Sequence, residues 1–171
     1  MEKFKEFNTP ELITLTGIAG SGKSTWIKNN KPKWKNTVVI STDELRKKLT
    51  GDISNQKVNP EVYKLAKVLI INNLKKGKNV VLDSTNVDTE RRIPFIKDME
   101  KEVDFKKTAL IFYVSRDEAK KRIKNDIENN VDRPNVPEKA IDEMYQLYLD
   151  TLKNLPIEGF KIVTSWNENR T

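Results

Sequence analysis

The feature that most constrains this chain is the segment from Gly17 to Thr25, which reads GIAGSGKST and matches the pattern G-x-x-x-x-G-K-[ST]. An apolar stretch at 12–16 precedes it, and a helical stretch begins at Lys23. Glycines in such a loop let successive backbone N–H groups turn toward phosphate oxygens, and the N-terminus of the following helix adds a favourable dipole. We expect Lys23 to reach the β- and γ-phosphates and the Ser24 hydroxyl to bind Mg²⁺.

The motif therefore predicts a nucleoside triphosphate site. The alternative is a glycine-rich turn between a strand and a helix that matches the same pattern and binds nothing. The candidate residues are Gly17, Gly20, Ser21, Gly22, Lys23, Ser24 and Thr25. The sequence contains no N-K-x-D string of the kind that selects guanine, so ATP is favoured over GTP as the donor.

Five short apolar runs recur along the chain, at 12–16, 37–41, 79–83, 108–114 and 160–164. They are β-branched and nearly continuous, which is typical of strands buried on both faces of a parallel sheet. The segments between them have helical spacing. One predicted helix is capped by Asn59 and ended by Gly77, another follows a capping box of Ser115 and Glu118, and the last begins at Pro137. The pattern predicts one α/β domain over residues 1–171, with a central, mostly parallel sheet of about five strands and helices on both faces.

Composition narrows the available chemistry. The 171 residues include no Cys and no His, which excludes disulfides, thiol nucleophiles, imidazole bases and metal sites built from either residue. Catalysis would have to use carboxylates, Lys, Arg, hydroxyls, backbone amides or a cation held by oxygen. A net charge of +7 favours polyanionic partners such as nucleic acid or nucleotides, although a solvated lysine-rich surface explains the charge equally well.

The ends and the apolar runs carry no sign of a membrane. The segment MEKFKEFNTPE at 1–11 lacks the apolar region of a signal peptide, and no apolar run approaches the ~20 residues that cross a bilayer. We therefore expect a cytoplasmic protein that has no membrane partner.

The residues after the second apolar run are the candidates for handling an acceptor, because ligands of such sheets bind beyond the carboxyl ends of the strands. Asp43 follows this run, and in a chain without His a carboxylate must serve as any general base. Arg46 lies three positions on and would face the same way on a helix, where it could hold an anionic acceptor. In the alternative interpretation Thr42 or Asp43 only caps a helix and Arg46 lies on the surface.

Two further groups suit phosphate chemistry. Asp83 ends the third apolar run in the manner of a Walker B residue, and it either holds Mg²⁺ or is structural. The segment 125–137 has weak periodicity and resembles a mobile flap, so we place a lid at about 116–137. Arg133 is the first candidate, and Arg122 the second, for an arginine finger that closes over the phosphates. A charged helix face followed by a surface loop would have the same sequence pattern.

Taken together, these pieces resemble the 5′-hydroxyl polynucleotide kinases of the bacteriophage and bacterial end-healing type. Four blocks carry the resemblance in order: GIAGSGKSTW at 17–26, STDELR at 41–46, LDSTNVDTERR at 82–92 and RPNVPEKAIDEMY at 133–145. The resemblance implies a single P-loop kinase domain with a helical lid, which uses ATP and Mg²⁺ to phosphorylate the 5′-hydroxyl end of DNA or RNA.

The resemblance also implies a role for each matching residue. Lys23, Ser24 and Thr25 would bind the ATP phosphates and Mg²⁺. Asp43 would be the general base, and Arg46 would hold the phosphate on the 3′ side of the terminal nucleotide. Arg133, helped by Arg122, would contact the donor phosphates. Val136 and Pro137 would form an apolar shelf near the terminal nucleoside.

The chain departs from that family in two places. Its lid contains the acidic residues Asp126, Glu128 and Asp132, where the family is more uniformly basic. Its third block reads D-S-T-N where relatives read D-T-N, and this shift by one position leaves the role of Asp83 open. It has no D-x-D-G-T phosphatase string, so we expect kinase activity alone, with any repair ligase or phosphatase acting separately. A small-molecule kinase (acting on a sugar acid, nucleoside, antibiotic or cell-wall precursor) and a non-catalytic ATP-binding module remain as alternatives. The tryptophans at 26, 34 and 166 could stack on bases or pack in the core.

Overall fold

The computed structural model describes residues 9–165, so Trp166 and the first eight residues lie outside the described part of the chain. Its five strands form one sheet in the order β2-β3-β1-β4-β5, and every neighbouring pair is parallel. The strands are β1 (Glu11–Thr16), β2 (Thr37–Ser41), β3 (Asn79–Asp83), β4 (Lys106–Phe112) and β5 (Lys161–Ser165). The predicted α/β sheet is confirmed. The fourth strand begins and ends two residues earlier than the apolar run at 108–114 suggested.

Six α-helices connect these strands in the described residues, with two in succession after β2 and again after β4. They are α1 (Lys23–Asn30), α2 (Thr42–Thr50), α3 (Asn59–Lys75), α4 (Thr89–Glu100), α5 (Arg116–Glu128) and α6 (Glu138–Asn154), with short 3₁₀ turns at Lys31–Lys33 and Gln56–Val58. The Ser115 hydroxyl accepts the Glu118 backbone N–H at 3.1 Å, so the predicted cap of α5 is present. None of these helices has the length and apolar content to cross a bilayer.

One prediction about helix ends was wrong. Asn59 does not cap α3 but is its first residue, and the cap position falls on Val58 with no side-chain hydrogen bond. The Asn59 side chain is instead engaged by Arg46, whose Nη2 donates to Oδ1 at 2.8 Å. Asparagine fits both uses because its amide oxygen accepts backbone and side-chain donors alike.

The sheet is covered on both faces, and the side chains of its strands alternate between two apolar clusters. Leu12, Val80, Leu82, Ala109 and Ile111 face the larger cluster, which also contains the apolar sides of α2 to α6. Residues one position out of phase, such as Leu15 and Val81, face a smaller cluster under α1. Continuous burial of this kind explains why the strands read as unbroken apolar runs.

The smaller cluster accounts for two of the tryptophans. Trp26 on α1 packs against Trp34 with ring centroids 5.5 Å apart, and it meets Phe112 edge-on at 6.1 Å. Both indoles lie against this apolar cluster. They contribute to the core on this face of the sheet, as edge-to-face aromatic contacts commonly do.

The predicted flap is shorter than the segment 125–137. Helix α5 continues to Glu128, so only residues 129–137 are irregular, and Asn130 takes a left-handed conformation with φ 55° just after the helix. Asparagine tolerates this conformation better than most residues do. The turn redirects the chain so that the segment after it reaches back over the carboxyl edge of the sheet.

A buried ion pair fixes the segment that follows β3. Arg92 is only 4% exposed, and it donates to the Glu158 carboxylate through Nε at 3.1 Å and Nη2 at 2.8 Å. Its Nη1 donates to the Asn86 carbonyl at 2.5 Å and to the Thr151 hydroxyl at 3.1 Å. Arg92 therefore ties the start of α4 to the end of α6 and holds the loop after β3 in place.

We predict that Arg92→Met lowers the free energy of unfolding by about 3–5 kcal/mol, because it leaves the Glu158 carboxylate buried without its partner. Urea denaturation followed by circular dichroism measures the change. Lys97, which is exposed on the same helix, provides the control, and Lys97→Gln should change stability by less than about 0.5 kcal/mol. Equal stability of the two variants would contradict the structural role of Arg92.

Candidate active site

The loop between β1 and α1 has the shape of a phosphate cradle. Gly20 and Gly22 have φ values of 78° and 100°, a region that side chains with Cβ rarely adopt. A Cβ on Gly20 would also come within 2.9 Å of the Ala119 carbonyl oxygen on α5. The sequence therefore needs glycine here both for conformation and for the close approach of α5. Gly17 lies deeper, and its backbone N–H donates to the Thr85 carbonyl at 3.1 Å.

Lys23 folds back over this loop. Its ammonium donates to the carbonyl oxygens of Gly17 at 2.8 Å and Ile18 at 2.9 Å. Burial lowers the pKa of Lys23 to about 8, while the nearby carboxylates of Asp83 and Asp43 act in the opposite direction. The same site thus contains a desolvated cation and two acids, and a triphosphate would supply the negative charge that favours the protonated lysine.

Asp83 lies at the carboxyl end of β3, beside Lys23. Burial raises its pKa, which the positive charge of Lys23 and a hydrogen bond from the Ser41 side chain partly counteract. Asp83 and Ser24 both line the cleft over the P-loop. Oxygen donors of these two kinds are what Mg²⁺ prefers, so the pair fits a metal that a bound nucleotide would complete. Among the described residues no group of three or more acidic side chains forms a metal cage without a nucleotide.

Asp43 and Arg46 lie about one turn apart at the start of α2 and face each other, as their spacing predicted. Arg46 Nη1 donates to Asp43 Oδ1 at 2.5 Å. The Asp43 side chain is 46% exposed toward the cleft, whereas that of Arg46 is 5% exposed. The carboxylate is thus presented to solvent by a cation held behind it, which suits a group that must accept a proton from an incoming molecule.

The Arg46 guanidinium is itself fixed from α3 and from the loop before it. Nε and Nη2 donate to Asn59 Oδ1 at 3.2 Å and 2.8 Å, and Nη1 also reaches the Ile53 carbonyl at 3.4 Å. Together with the bond to Asp43, these contacts use four of the five guanidinium N–H groups. One N–H on Nη2 is left for a further acceptor, such as a phosphate oxygen.

The two lid arginines approach the site from α5 and from the loop after it. Arg122 Nη1 donates to the Gly20 carbonyl at 3.2 Å, and its Nε donates to Glu118 at 2.8 Å. Arg133 Nη1 donates to Asp126 at 2.5 Å, while its buried Nε has no hydrogen-bond partner. A buried N–H without an acceptor at this position is suited to donate to an oxygen of a bound phosphate.

The lid also contacts the acceptor side of the cleft. Lys47 on α2 donates to Asp132 at 2.5 Å, and both side chains are more than half exposed. An exposed pair of this kind contributes little stability, so it leaves the loop free to move. The acidic lid residues that set this chain apart in sequence thus include partners of Arg133 and of Lys47.

In the described part of the chain, one cleft of about 810 Å³ lies at the carboxyl ends of the strands and brings the predicted residues together. Its lining includes Gly20, Ser21, Gly22, Lys23, Ser24, Thr25, Asp43, Arg46, Asp83, Arg122, Arg133 and Val136. Gly17 does not line it, because this residue supports the loop from below.

Sequence reasoning missed several members of the cleft, among them Asn59, Asp126 and Tyr63. Asn59 and Asp126 hold the two principal arginines, and Tyr63 lines the wall between α3 and α4. Asn59 was visible only as a helix cap, and Asp126 only as an acidic departure in the lid. Tyr63 occupied a helical position next to apolar neighbours, so its spacing indicated packing rather than a cleft.

We predict that nucleotide affinity falls at alkaline pH because of Lys23. In the nucleotide-free protein the pKa of Lys23 is about 8, and a bound triphosphate raises it. Binding therefore takes up protons, and the contribution of the charged lysine to ATP affinity is complete only at pH values well below 8. That contribution is lost as the pH rises through the pKa of the bound state. Affinity for ATP, measured by calorimetry, should fall about three- to tenfold between roughly pH 7.5 and 9.

The matched variant for this prediction is Lys23→Met, which should bind ATP weakly at every pH and show no decline over the same range. A wild-type affinity that stays flat from neutral to alkaline pH would contradict the predicted protonation of Lys23 on binding.

Comparisons with known proteins agree with this geometry. Solved structures that resemble the chain include a chain of the Pnkp1/Rnl/Hen1 RNA repair complex, at 23% identity and TM-score 0.71, covering 85% of this chain and 46% of that one. A second structure of a Pnkp1/Rnl/Hen1 complex matches at 27% identity and TM-score 0.58, covering 67% of this chain and 39% of that one. A protein from Chloroflexus aurantiacus, described as a candidate kinase, matches at 16% identity and TM-score 0.67 and covers 92% and 85% of the two chains.

This chain spans less than half the length of the two repair-complex chains. A comparison with curated protein sequences found no match. The sequence model of the AAA domain family, AAA_33, matches residues 12–149, which include the P-loop, the acidic residues after β2 and β3, and the lid. By that match and by its parallel five-stranded sheet, the chain belongs to the AAA domain family and has the fold of a P-loop kinase.

Proposed function

We propose that this chain is an ATP-dependent polynucleotide kinase, which transfers the γ-phosphate of ATP to the 5′-hydroxyl end of DNA or RNA. The observation that carries the proposal is the Asp43–Arg46 pair, because it places an exposed carboxylate and a fixed cation in the same cleft as Lys23. An acceptor alcohol that carries a neighbouring phosphate matches both groups.

On the donor side, the chain binds and orients the triphosphate. The backbone amides of the loop at 17–25 surround the phosphates, and Lys23 places its ammonium on them once its contacts to the Gly17 and Ile18 carbonyls yield. Mg²⁺, held by Ser24 and Asp83 when bound, would neutralise phosphate charge during transfer. Arg133 and Arg122 close from the lid and bring further positive charge to the transferring group.

On the acceptor side, Asp43 takes the proton of the 5′-hydroxyl, whose oxygen forms the new bond to phosphorus as the bond to ADP breaks. Arg46 orients the Asp43 carboxylate through its hydrogen bond, and its remaining N–H is available to the phosphate on the 3′ side of the terminal nucleotide. Val136 provides apolar contact at the rim, where a nucleoside would lie.

The resemblance to chains of the Pnkp1/Rnl/Hen1 complexes supports a nucleic-acid acceptor, since one of these is named an RNA repair complex. Those chains are more than twice as long as the matched part, so their remaining activities are not carried over. Any ligase or phosphatase that completes end repair would act separately from this domain.

A small-molecule kinase is the second candidate, and one observation favours it. Arg46 is nearly buried, and most of its N–H groups donate to Asp43, Asn59 and Ile53. Its role could therefore be limited to positioning Asp43 as the general base. A neutral alcohol would then suffice as the acceptor. Label transfer from γ-labelled ATP to 5′-hydroxyl oligonucleotides, beside a panel of small alcohols, separates the candidates, and label on the small alcohols alone would favour the second.

We predict that Asp43→Asn lowers kcat for phosphate transfer to a 5′-hydroxyl oligonucleotide by about 10²–10⁴-fold, because the amide cannot accept the proton. The matched control is Glu61→Gln, which changes an exposed carboxylate in the first turn of α3 that does not line the cleft, and should alter kcat by less than about threefold. A fully active Asp43→Asn variant would exclude Asp43 as the base.

We also predict that wild-type protein prefers a nucleoside 3′-monophosphate to the plain nucleoside by roughly ten- to a hundredfold in kcat/KM. Arg46→Ala should lower both rates, because Asp43 loses its partner, and should bring their ratio close to one. Lys48→Ala, which removes an exposed cation on the same helix, should leave the ratio as it is. A wild-type ratio near one would assign Arg46 to positioning alone and favour a neutral acceptor.

A further inference from the structure

The cleft continues past Asp43 and Arg46 to a second arginine that the proposed reaction does not use. Arg91 lies in the first turn of α4 and lines the same cleft as Arg46, together with Tyr63 of α3. Its guanidinium carbon lies 4.5 Å from the centre of the Tyr63 ring, in a stacked cation–π contact. The Arg91 side chain is 43% exposed, so it remains accessible to a ligand in the cleft.

The ring that supports Arg91 is held in place. The Tyr63 hydroxyl lies 2.9 Å from the hydroxyl of Ser84, which is buried just after β3, and the ring meets Phe95 edge-on at 5.9 Å. A guanidinium stacked on a fixed ring loses less freedom when it binds an oxyanion than a free surface arginine does.

The two arginines of the cleft are supported from successive turns of one helix. Asn59 binds Arg46, and Tyr63 supports Arg91 four residues later on α3, which corresponds to a rise of about 6 Å. Two cations supported from one helix and lining one cleft form a positively charged wall, and a charged groove of this kind is how proteins follow the backbone of a single strand.

Two acidic groups lie near Arg91. Asp88 caps α4 by accepting the Arg91 backbone N–H at 3.1 Å, and its other oxygen lies 3.6 Å from Nη2, beyond a normal hydrogen bond. Glu90 is exposed on the same turn. Both carboxylates weaken the attraction of a phosphate to Arg91, and Asp88 does so from within the cleft.

We infer that Arg91 binds the second phosphate of the acceptor strand, counted from the 5′ end, and so makes the enzyme prefer acceptors of three or more nucleotides. This inference rests on the proposed function, and it assigns the wall formed by Tyr63 and Arg91 as a binding site for the strand beyond its terminal nucleotide.

The test compares three acceptors that each end in a 5′-hydroxyl: a dinucleotide with one phosphate, a trinucleotide with two, and the same trinucleotide with a neutral methylphosphonate at its second linkage. The wild type should show a kcat/KM for the trinucleotide about five- to tenfold above the values for the other two. Arg91→Gln should bring all three values together and reduce the salt dependence for the trinucleotide by about 0.7 in log–log slope.

Two variants sharpen the comparison. Arg116 is a close match for Arg91, because it stacks on Tyr145 at 5.5 Å, lies 3.7 Å from Asp142 and is 49% exposed, yet does not line the cleft. Arg116→Gln should therefore keep the wild-type preference. Asp88→Asn keeps a good cap while removing the opposing charge, so it should increase the preference for the trinucleotide.

The inference is overturned if Arg91→Gln keeps the wild-type preference, or if the methylphosphonate acceptor equals the trinucleotide, since the contact would then be to a base or to nothing. In either case the wild type still phosphorylates oligonucleotides, and the proposed function stands. If the wild type phosphorylates no oligonucleotide while it phosphorylates a small alcohol, the proposed function fails and this inference fails with it.

Discussion

The interaction on which the site depends is the enclosure of the Lys23 ammonium between the P-loop carbonyls and the carboxylates of Asp83 and Asp43. Burial of this cation costs free energy, which shows in its lowered pKa, and a bound triphosphate would relieve the cost by supplying negative charge. Lys23 begins the helix after the P-loop of β1, Asp83 ends β3 and Asp43 follows β2, so the order of strands in the sheet is what brings them together. A parallel sheet with β1 between β3 and β4 thus positions the chemistry before any ligand arrives.

Around this centre, each working cation is held by a polar side chain that has no direct part in the reaction. Asn59 orients Arg46, Asp126 orients Arg133, and the Tyr63 ring supports Arg91. Supports of this kind reduce the conformational freedom that a long side chain loses on binding, so more of the interaction energy with a phosphate is retained. The exposed contact between Lys47 and Asp132 differs, because an ion pair that is open to solvent contributes little stability and breaks readily.

Much of the fold could be predicted from the sequence because strands buried on both faces read as unbroken apolar runs, and the P-loop has a local pattern. The facing of Asp43 and Arg46 was also predictable, since helical spacing alone sets it. The side chains that support the arginines could not be predicted in this way. Asn59 reads as a helix cap in sequence, and its contact with Arg46 depends on how α2 packs against α3. The stacking of Arg91 on Tyr63 joins two helices distant in the chain, and the pairing of Asp126 with Arg133 depends on the turn at Asn130.

The central claim is that Asp43 accepts the proton of an alcohol at the end of a nucleic-acid strand while the P-loop holds the donor. It is tested most directly by a crystal structure of the protein with a non-hydrolysable ATP analogue, Mg²⁺ and a 5′-hydroxyl oligonucleotide. The account predicts an Asp43 carboxylate oxygen about 2.6–3.2 Å from the 5′ oxygen, with that oxygen in line with the γ-phosphorus. A complex in which the 5′ end lies in the cleft but beyond reach of Asp43, even through one water, would contradict it.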